Sequence, residues 1–411
     1  MYSIFSSIGP EIPFSLILLA LMGLRFKVRP HVRLWIKSSP ETVFDFIDMQ
    51  DGKREDWGRT VTVTRSLDEA RQIYQKTYTT TLTTGVQQSF EAQFSIETRN
   101  PPHTLLIKRE GLEGRSLNNE LLQQTYVISP GTNGCHLDIT YNWGPRPLIA
   151  QILARADLWG GIYRIKSLAE TGMANERPYQ LISAGVAVVT GIVSFAAFAI
   201  MLDVVWATLI ISALFIHEFG HLLAYRLIGQ PWGRMVFLPF LGAIAMPRLP
   251  FNSQGQAVFA ALMGPGFSVI MALICTMPML LWGELEKYAI VAGLVAVYLN
   301  IFNLLPVEPL DGGVALRSVL TRLLGKGARF GLMATGAIIV AAGLYFSQII
   351  IVIFGGIAIL ANIKNRTIDA GMQPLSTLQV CISFFGYVAI LTAYLELAQF
   401  FGDQLLLIKS A

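Results

Sequence analysis

The sequence has little charge and few cysteines. Only 14% of its 411 residues are charged, whereas 53% are hydrophobic, a balance outside the range of ordinary soluble domains. The three cysteines, Cys135, Cys275 and Cys381, are widely spaced, which excludes a disulfide framework and a CxxC metal site. The net charge of +4 is too small to indicate a nucleic-acid partner. The composition therefore argues against a purely soluble protein and against a nucleic-acid-binding one.

Long apolar runs are concentrated in the second part of the chain. Residues 27–180 read as mixed sequence, whereas seven candidate membrane spans follow residue 180. They lie at about 181–201, 204–228, 256–282, 288–306, 329–346, 348–364 and 377–398. The sequence thus predicts a multi-span membrane domain over residues 176–411.

A shorter apolar stretch at residues 12–24 precedes a basic cluster that begins at Arg25. In a signal peptide the basic residues come before the apolar run, so the reversed order favours a membrane anchor over residues 1–26. An N-terminal helix of the soluble domain is the alternative, because the stretch is shorter than the roughly 20 residues of a span. With the anchor, the prediction is a polytopic α-helical protein of about eight transmembrane helices, with a soluble α+β domain inserted at residues 27–175.

Basic residues are distributed unevenly between the two sides of the predicted spans. If the spans alternate in direction, nine basic residues fall on one side, and only Lys287 and Lys409 fall on the other. The nine are Arg226, Arg234, Arg248, Arg317, Arg322, Lys326, Arg329, Lys364 and Arg366. The positive-inside rule makes that side cytoplasmic. The anchor assigns the soluble domain to the same side, so the chain is predicted to be an integral membrane protein, of the inner membrane if bacterial, with a cytoplasmic soluble domain.

The soluble stretch has the pattern of a sheet closed by a long helix. Residues 31–37 are strand-like, Ser39, Pro40 and Glu41 suit the start of a short helix, and residues 60–141 are rich in Thr, Val, Ile, Tyr and Phe;. Apolar residues at helical spacing over 147–172 predict a long amphipathic helix. About seven antiparallel strands are expected in all.

This order of elements, with its SSPETVFDFI opening, resembles the helix-grip superfamily, which includes START lipid-transfer domains and polyketide cyclases. The resemblance implies a hydrophobic cavity under the long helix, where an apolar small ligand would bind. A small α+β domain with a filled core is the alternative.

The strongest chemical signal is the sequence His217-Glu218-Phe219-Gly220-His221, inside the predicted span 204–228. Two histidines four residues apart share one helix face, so both imidazoles can bind one Zn²⁺. Glu218 lies beside them and is placed to act on a water molecule. Ionisable groups are costly inside a bilayer and are functional candidates by default. The pattern therefore predicts a zinc site with His217 and His221 as ligands.

A catalytic zinc site needs a third protein ligand. Most other carboxylates of the membrane half lie in loops on the far side or near the end of a span. Glu308 and Asp311 remain, in the stretch NLLPVEPLDGG at the cytoplasmic end of the span 288–306. Prolines at 306 and 309 break the helix there, and Gly312 and Gly313 allow close approach of the backbone.

HEFGH followed about ninety residues later by NLLPVEPLDGG resembles the site-2 protease family of intramembrane zinc metalloproteases. The resemblance implies that Asp311 is the third ligand, that Glu218 is the general base, and that Asn303 helps to hold the substrate backbone or the oxyanion. The stretch VFLPFLGAIAM, residues 236–246, resembles the re-entrant hairpin beside the substrate strand of that family. Two departures stand out: Ser268 replaces an asparagine of a GPxxN element, and Glu308 is an unusual charge that would be a substitute ligand or a partner of one.

The sequence therefore predicts an intramembrane endopeptidase with one Zn²⁺ per chain. Its implied partners are a transmembrane protein substrate and the lipid bilayer. A silent membrane scaffold or lipid-binding sensor that keeps the protease fold is the first alternative. A transporter is the second, although the sequence has no evident internal repeat.

Overall fold

The structure, a computed structural model, describes residues 25–27, 29–112, 115–116, 122–240, 242–277, 286–307, 310–345, 347, 349–363 and 372–410. The predicted anchor at residues 12–24 lies outside them. The chain divides into two compact units, one ending at Thr190 and the other beginning at Gly191.

The first unit consists mainly of strands. They are β1 Arg25–Phe26, β2 His31–Ile36, β3 Arg54–Asp56, β4 Thr60–Asp68, β5 Ile73–Thr81, β6 Gln87–Asn100, β7 Thr104–Leu112, β8 Arg115–Ser116, β9 Leu122–Gly131, β10 Gly134–Trp143 and β11 Arg146–Pro147. Its helices are α1 Pro40–Ile47 and α2 Leu148–Thr171, and α3 Arg177–Met201 follows. Helix α1 begins as predicted: the Ser39 side chain accepts a hydrogen bond from the Thr42 backbone N–H, and Pro40 occupies the first turn;.

Nine strands form one antiparallel sheet in the order β2-β10-β9-β7-β6-β5-β4-β3, with β8 paired to β7. This is two strands more than the sequence predicted, because β3 and β8 have only three and two residues and are too short for an alternating pattern. Strand β2 pairs with β10, from the other end of the domain, with Leu34 opposite Leu137. Helix α2 packs on β2, β10 and α1, which is the predicted helix-grip arrangement.

An apolar core lies between α2 and the sheet. Ile36, Leu105 and Leu137 from three strands and Ile162 from α2 are all fully buried. Complete burial of such side chains contributes roughly 1.5–3 kcal/mol each. We call the face of the sheet that carries these residues the inner face.

The second unit is helical, with one hairpin. Its elements are α4 Val204–Leu227, β12 Arg234–Leu238, β13 Gly242–Met246, α5 Gln254–Ile274, α6 Glu286–Asn303, α7 Asp311–Leu324, α8 Ala328–Tyr345, α9 Ile349–Ile363 and α10 Thr377–Ser410, with a 3-10 turn at Gly325–Gly327. Every predicted span after residue 180 coincides with a helix, and α7 is an additional one. Helices α5, α6 and α10 pack together around buried residues that include Ile290, Val297, Tyr394 and Phe401.

In the part of the chain that is described, five helices are long and apolar enough to cross a membrane, namely α3, α4, α5, α8 and α10. The described residues do not confirm the predicted number of about eight. Helix α9 has only 15 residues, or about 22 Å at 1.5 Å per residue, which is less than the roughly 30 Å apolar core of a bilayer. Helix α6 has 18 residues but begins with the charged pair Glu286 and Lys287, which lowers its hydropathy.

Candidate metal centre

Helix α4 brings His217, Glu218 and His221 together in the interior of the second unit. The three residues are 2%, 5% and 8% exposed, and one ligand atom from each lies within 4.8 Å of the others. The helical repeat of 3.6 residues makes this cluster a local consequence of the HEFGH sequence. Gly220 allows α5 to approach, because a side chain there would overlap the Met263 carbonyl oxygen and the Phe267 side chain.

Hydrogen bonds fix the tautomers of both histidines. His221 Nδ1 lies 2.7 Å from the carbonyl oxygen of Ala260, which can only accept, so Nδ1 carries the proton;. Asn300 Nδ2 donates to the Ala296 carbonyl, which turns Asn300 Oδ1 toward His217 Nδ1 at 2.8 Å. In the neutral imidazole, the proton on Nδ1 leaves the lone pair on Nε2. Hydrogen bonds of this kind orient the imidazoles of metal-ligating histidines.

Asp311 completes a triangle of electron-pair donors with the two histidines. Its Oδ2 lies 3.2 Å from His217 Nε2 and 3.4 Å from His221 Nε2, and the two Nε2 atoms are 3.1 Å apart. Oδ2 is buried and has no hydrogen-bond donor among the described residues. Ligands at 2.0–2.1 Å from a tetrahedral zinc are about 3.3 Å apart. The spacing of the three atoms fits one Zn²⁺ ion.

The break between α6 and α7 places Asp311. The chain turns through Leu304–Val307, and Asp311 begins α7. Gly312 packs so tightly on the Leu304 carbonyl that no side chain would fit. The Tyr387 hydroxyl of α10 donates to the same carbonyl at 2.6 Å. Helix α10 therefore holds the segment that carries the third candidate ligand.

Gly264 lies in tight contact with the imidazole of His221. A side chain at this position would overlap the ring of His221 at Nε2 and Cε1. The next residue, Pro265, accepts a 2.6 Å hydrogen bond from the Tyr394 hydroxyl through its carbonyl oxygen. The Gly264–Pro265 segment of the MGPGFS element thus supports the position of the His221 imidazole. Ser268 of the same element is buried.

We expect Gly264→Ala to displace the His221 imidazole and to lower zinc affinity by about tenfold or more, because ligand orientation controls the metal site. Gly266→Ala is the matched control on the same helix, since its new methyl group would meet only Ile390 at an ordinary contact distance of 3.5 Å. Titration of the metal-free proteins with zinc against a competing chelator measures both variants. Equal affinities for the two would show that Gly264 has no special role.

The hairpin β12–β13 lies against the catalytic candidate Glu218. It spans most of the stretch predicted to be a re-entrant hairpin, and Met235 pairs with Ala245. The Ala245 backbone interacts with the Glu218 carboxylate, and its carbonyl accepts from the Tyr225 hydroxyl at 3.2 Å. Peptide groups of alternate residues in an antiparallel pair face the same edge, so Ala243 faces α4 as well. This edge of β13 therefore borders the candidate site.

Two asparagines of α6 have different environments. Asn303, the predicted catalytic asparagine, donates to the Leu299 carbonyl of its own helix at 3.2 Å and is half-buried. Asn300 is fully buried and hydrogen-bonds His217. Sequence reasoning missed Asn300, although an uncharged polar residue in an apolar span was an available signal. Glu308, the other candidate ligand, lies outside the described residues.

A model of peptidase family M50 matches residues 278–343, which include Asp311. A candidate zinc metalloprotease, sll0528, from Synechocystis sp. is 29% identical over 133 residues, which are 31% of this chain and 34% of the relative. The chain thus spans about a third of that relative.

Solved structures resemble different parts of the chain. The site-2 protease from Methanocaldococcus jannaschii covers 46% of this chain and 89% of its own, at 19% identity and a TM-score of 0.30. Protein Ms6760 from Mycobacterium smegmatis covers 35% of this chain and 92% of its own, at 13% identity and a TM-score of 0.27. With the family match around the LDG motif and the relative named as a zinc metalloprotease, the predicted resemblance to the site-2 proteases, peptidase family M50, is confirmed.

Proposed function

We propose that the protein is a zinc-dependent intramembrane endopeptidase that hydrolyses peptide bonds in or near transmembrane segments of other membrane proteins. The observation that carries the proposal is the convergence of His217 Nε2, His221 Nε2 and Asp311 Oδ2 next to Glu218, within an apolar span. These three atoms would hold one zinc ion per chain. A fourth position remains for water, as catalytic zinc sites require.

Glu218 is the general base in this proposal. The chemistry that zinc supplies is polarisation of the scissile carbonyl and acidification of the attacking water. Glu218 takes the proton of that water and passes it to the leaving amine. Its interaction with the Ala245 backbone places the carboxylate beside the edge of β13.

Strand β13 supports a binding mode for the substrate. A transmembrane helix hides its peptide bonds in its own hydrogen bonds, so the segment to be cut must unwind. An extended segment can pair with the backbone of Ala243 at the edge of β13, since strand addition satisfies its peptide groups. It would then lie beside Glu218. The complete ligand set with Glu218 present argues against a silent scaffold.

The test of the proposed function is zinc analysis of the purified full chain, together with cleavage of a model single-pass membrane protein. About one zinc per chain is expected, and cleavage should stop when a chelator removes the metal and resume when zinc returns. Cleavage that is unaffected by metal removal would refute the proposal.

The two asparagines of α6 should have separable effects. Asn300→Ala removes the acceptor of His217 Nδ1–H, and loss of such a partner costs about 10–100-fold in metal affinity. Asn303→Ala should leave zinc affinity unchanged and lower turnover by about 10²–10³-fold, the usual cost of losing one oxyanion donor. Zinc titration and cleavage rates measured on both variants separate the roles. An Asn303→Ala protein with normal turnover would remove Asn303 from the mechanism.

We propose that the soluble domain is cytoplasmic. The basic cluster from Arg25 to Arg33 and the nine basic residues of the near-side connections support this orientation;. Reporter enzymes fused after Asn175 should show cytoplasmic activity, and fusions at Gly283 should show activity on the other side. The opposite pattern would reverse the assigned topology.

A further inference from the structure

A positively charged side chain projects from the inner face of the soluble unit. Arg109 follows the buried residues Leu105 and Ile107 at alternate positions of β7, so the three side chains share that face;. The Arg109 guanidinium carbon lies 5.6 Å from the ring centroid of Phe94 on the neighbouring strand. Arg109 is half-buried, and its Nε is buried without a hydrogen-bond partner.

Among the described residues Arg109 has no carboxylate partner, unlike Lys76 and Lys108 of the same sheet. Lys76 pairs with Glu55 at 2.6 Å, and Lys108 pairs with Glu110 at 3.0 Å. Within the described ranges no Asp or Glu lies at ion-pair distance from Arg109. A charge removed from water is normally paired. The unpaired guanidinium is therefore a position where an anion would be stabilised.

Three tyrosines lie within electrostatic range of this charge. Arg109 interacts electrostatically with Tyr78, Tyr126 and Tyr141, and burial raises the pKa of both Tyr78 and Tyr141 to about 12. All three are therefore neutral near pH 7. The Tyr126 hydroxyl donates a hydrogen bond to Gln124 Oε1 at 2.8 Å. Tyr78 stacks on Phe90 with ring centroids 4.7 Å apart. Two carboxylates also act on these tyrosines: Glu55, which is paired with Lys76, acts on Tyr78, and Asp157 acts on Tyr141.

We propose that Arg109 binds the carboxylate of a small apolar molecule whose body lies against Tyr78, Tyr126 and Tyr141. One unpaired guanidinium matches one negative charge, and its planar fork matches a carboxylate bidentately. A phosphate monoester carries more charge and would need a second free cation. Leu105 and Leu137, on the same inner face, are fully buried in the apolar core. The ligand is therefore restricted to the region of the tyrosines. This site is independent of the proposed peptidase activity.

The test uses the purified full chain in detergent, with 2-naphthoate as the anionic probe and 2-naphthamide as its neutral counterpart. Wild type should bind the carboxylate about tenfold or more tightly than the amide, since a charge-assisted pair is lost with the amide. Arg109→Gln should lose this preference. Arg65→Gln, which removes an exposed arginine of β4, is the matched control and should keep it. Calorimetric titration measures the binding of both probes to wild type, Arg109→Gln and Arg65→Gln.

Equal binding of the two probes to wild type would overturn the proposal, as would an unchanged preference in Arg109→Gln. If Arg109→Gln fails to fold, a second variant tests the same contact. Arg109→Lys keeps the charge but loses the planar fork, so it should prefer the carboxylate over the amide by a smaller factor than wild type. A preference in Arg109→Lys equal to that of wild type would show that the bidentate contact does not form, and would also overturn the proposal.

Discussion

Replacing Glu218 with glutamine is expected to reduce hydrolysis of a transmembrane substrate by about 10²–10⁴-fold, the contribution of a positioned general base, while the zinc ion stays bound. Glutamine keeps the shape of the side chain, but it takes no proton from the attacking water. The three candidate ligand atoms belong to other residues, so the metal site should be preserved.

The measurement pairs single-turnover cleavage rates with zinc content on the same preparations. Glu396→Gln is the matched control, since it removes a carboxylate of the membrane unit that is exposed on α10; its rate should equal that of wild type. Turnover in Glu218→Gln within a few fold of wild type would remove Glu218 from the proton transfer. Loss of zinc in that variant would instead indicate that Glu218 contributes to the metal site.

The local part of the candidate site could be predicted from the sequence, because it depends on helix periodicity alone. Residues four apart on a helix lie side by side, and the Nε2 atoms of His217 and His221 are indeed 3.1 Å apart. The approach of Asp311 required the family resemblance, since ninety residues separate it from His221. The ligand roles of all three residues stay predictions.

Contacts from neighbouring helices could not be predicted in this way. The hydrogen bond from His217 to Asn300 and the contact of Gly264 with His221 depend on how α4, α5 and α6 pack. No local pattern distinguishes Gly264 from Gly266, yet only Gly264 touches the imidazole. The hydrogen bonds that Tyr387 and Tyr394 donate to backbone carbonyls likewise depend on the tertiary structure.

The sequence predicted the positions of most helices and strands better than it predicted how many there are. Apolar runs identified the seven helices of the second half that coincide with predicted spans, because hydrophobic length is a local property. The short helix α7 was missed: it lies outside the apolar runs, at the break where Asp311 is placed. In the soluble unit, the pairing of β2 with β10 joins residues more than ninety positions apart, and no local pattern indicates it.

Replacing Asp311 with alanine is expected to abolish tight zinc binding. Two imidazoles alone fall short of the three protein ligands that a catalytic zinc requires, and the alanine methyl group offers no electron pair. The neighbouring carboxylate provides the comparison: Glu308→Ala should keep about one zinc per chain if Asp311 is the ligand.

The decisive measurement is zinc content after dialysis against a chelator of moderate affinity, with thermal unfolding recorded on the same samples. Asp311→Asn adds a graded case, because its amide oxygen keeps the shape but carries no charge; its affinity should lie between those of wild type and Asp311→Ala. Full zinc occupancy in Asp311→Ala, together with loss in Glu308→Ala, would transfer the ligand role to Glu308. In that case the contacts of Asp311 Oδ2 with both Nε2 atoms, at 3.2 and 3.4 Å, would describe only the metal-free arrangement of the site.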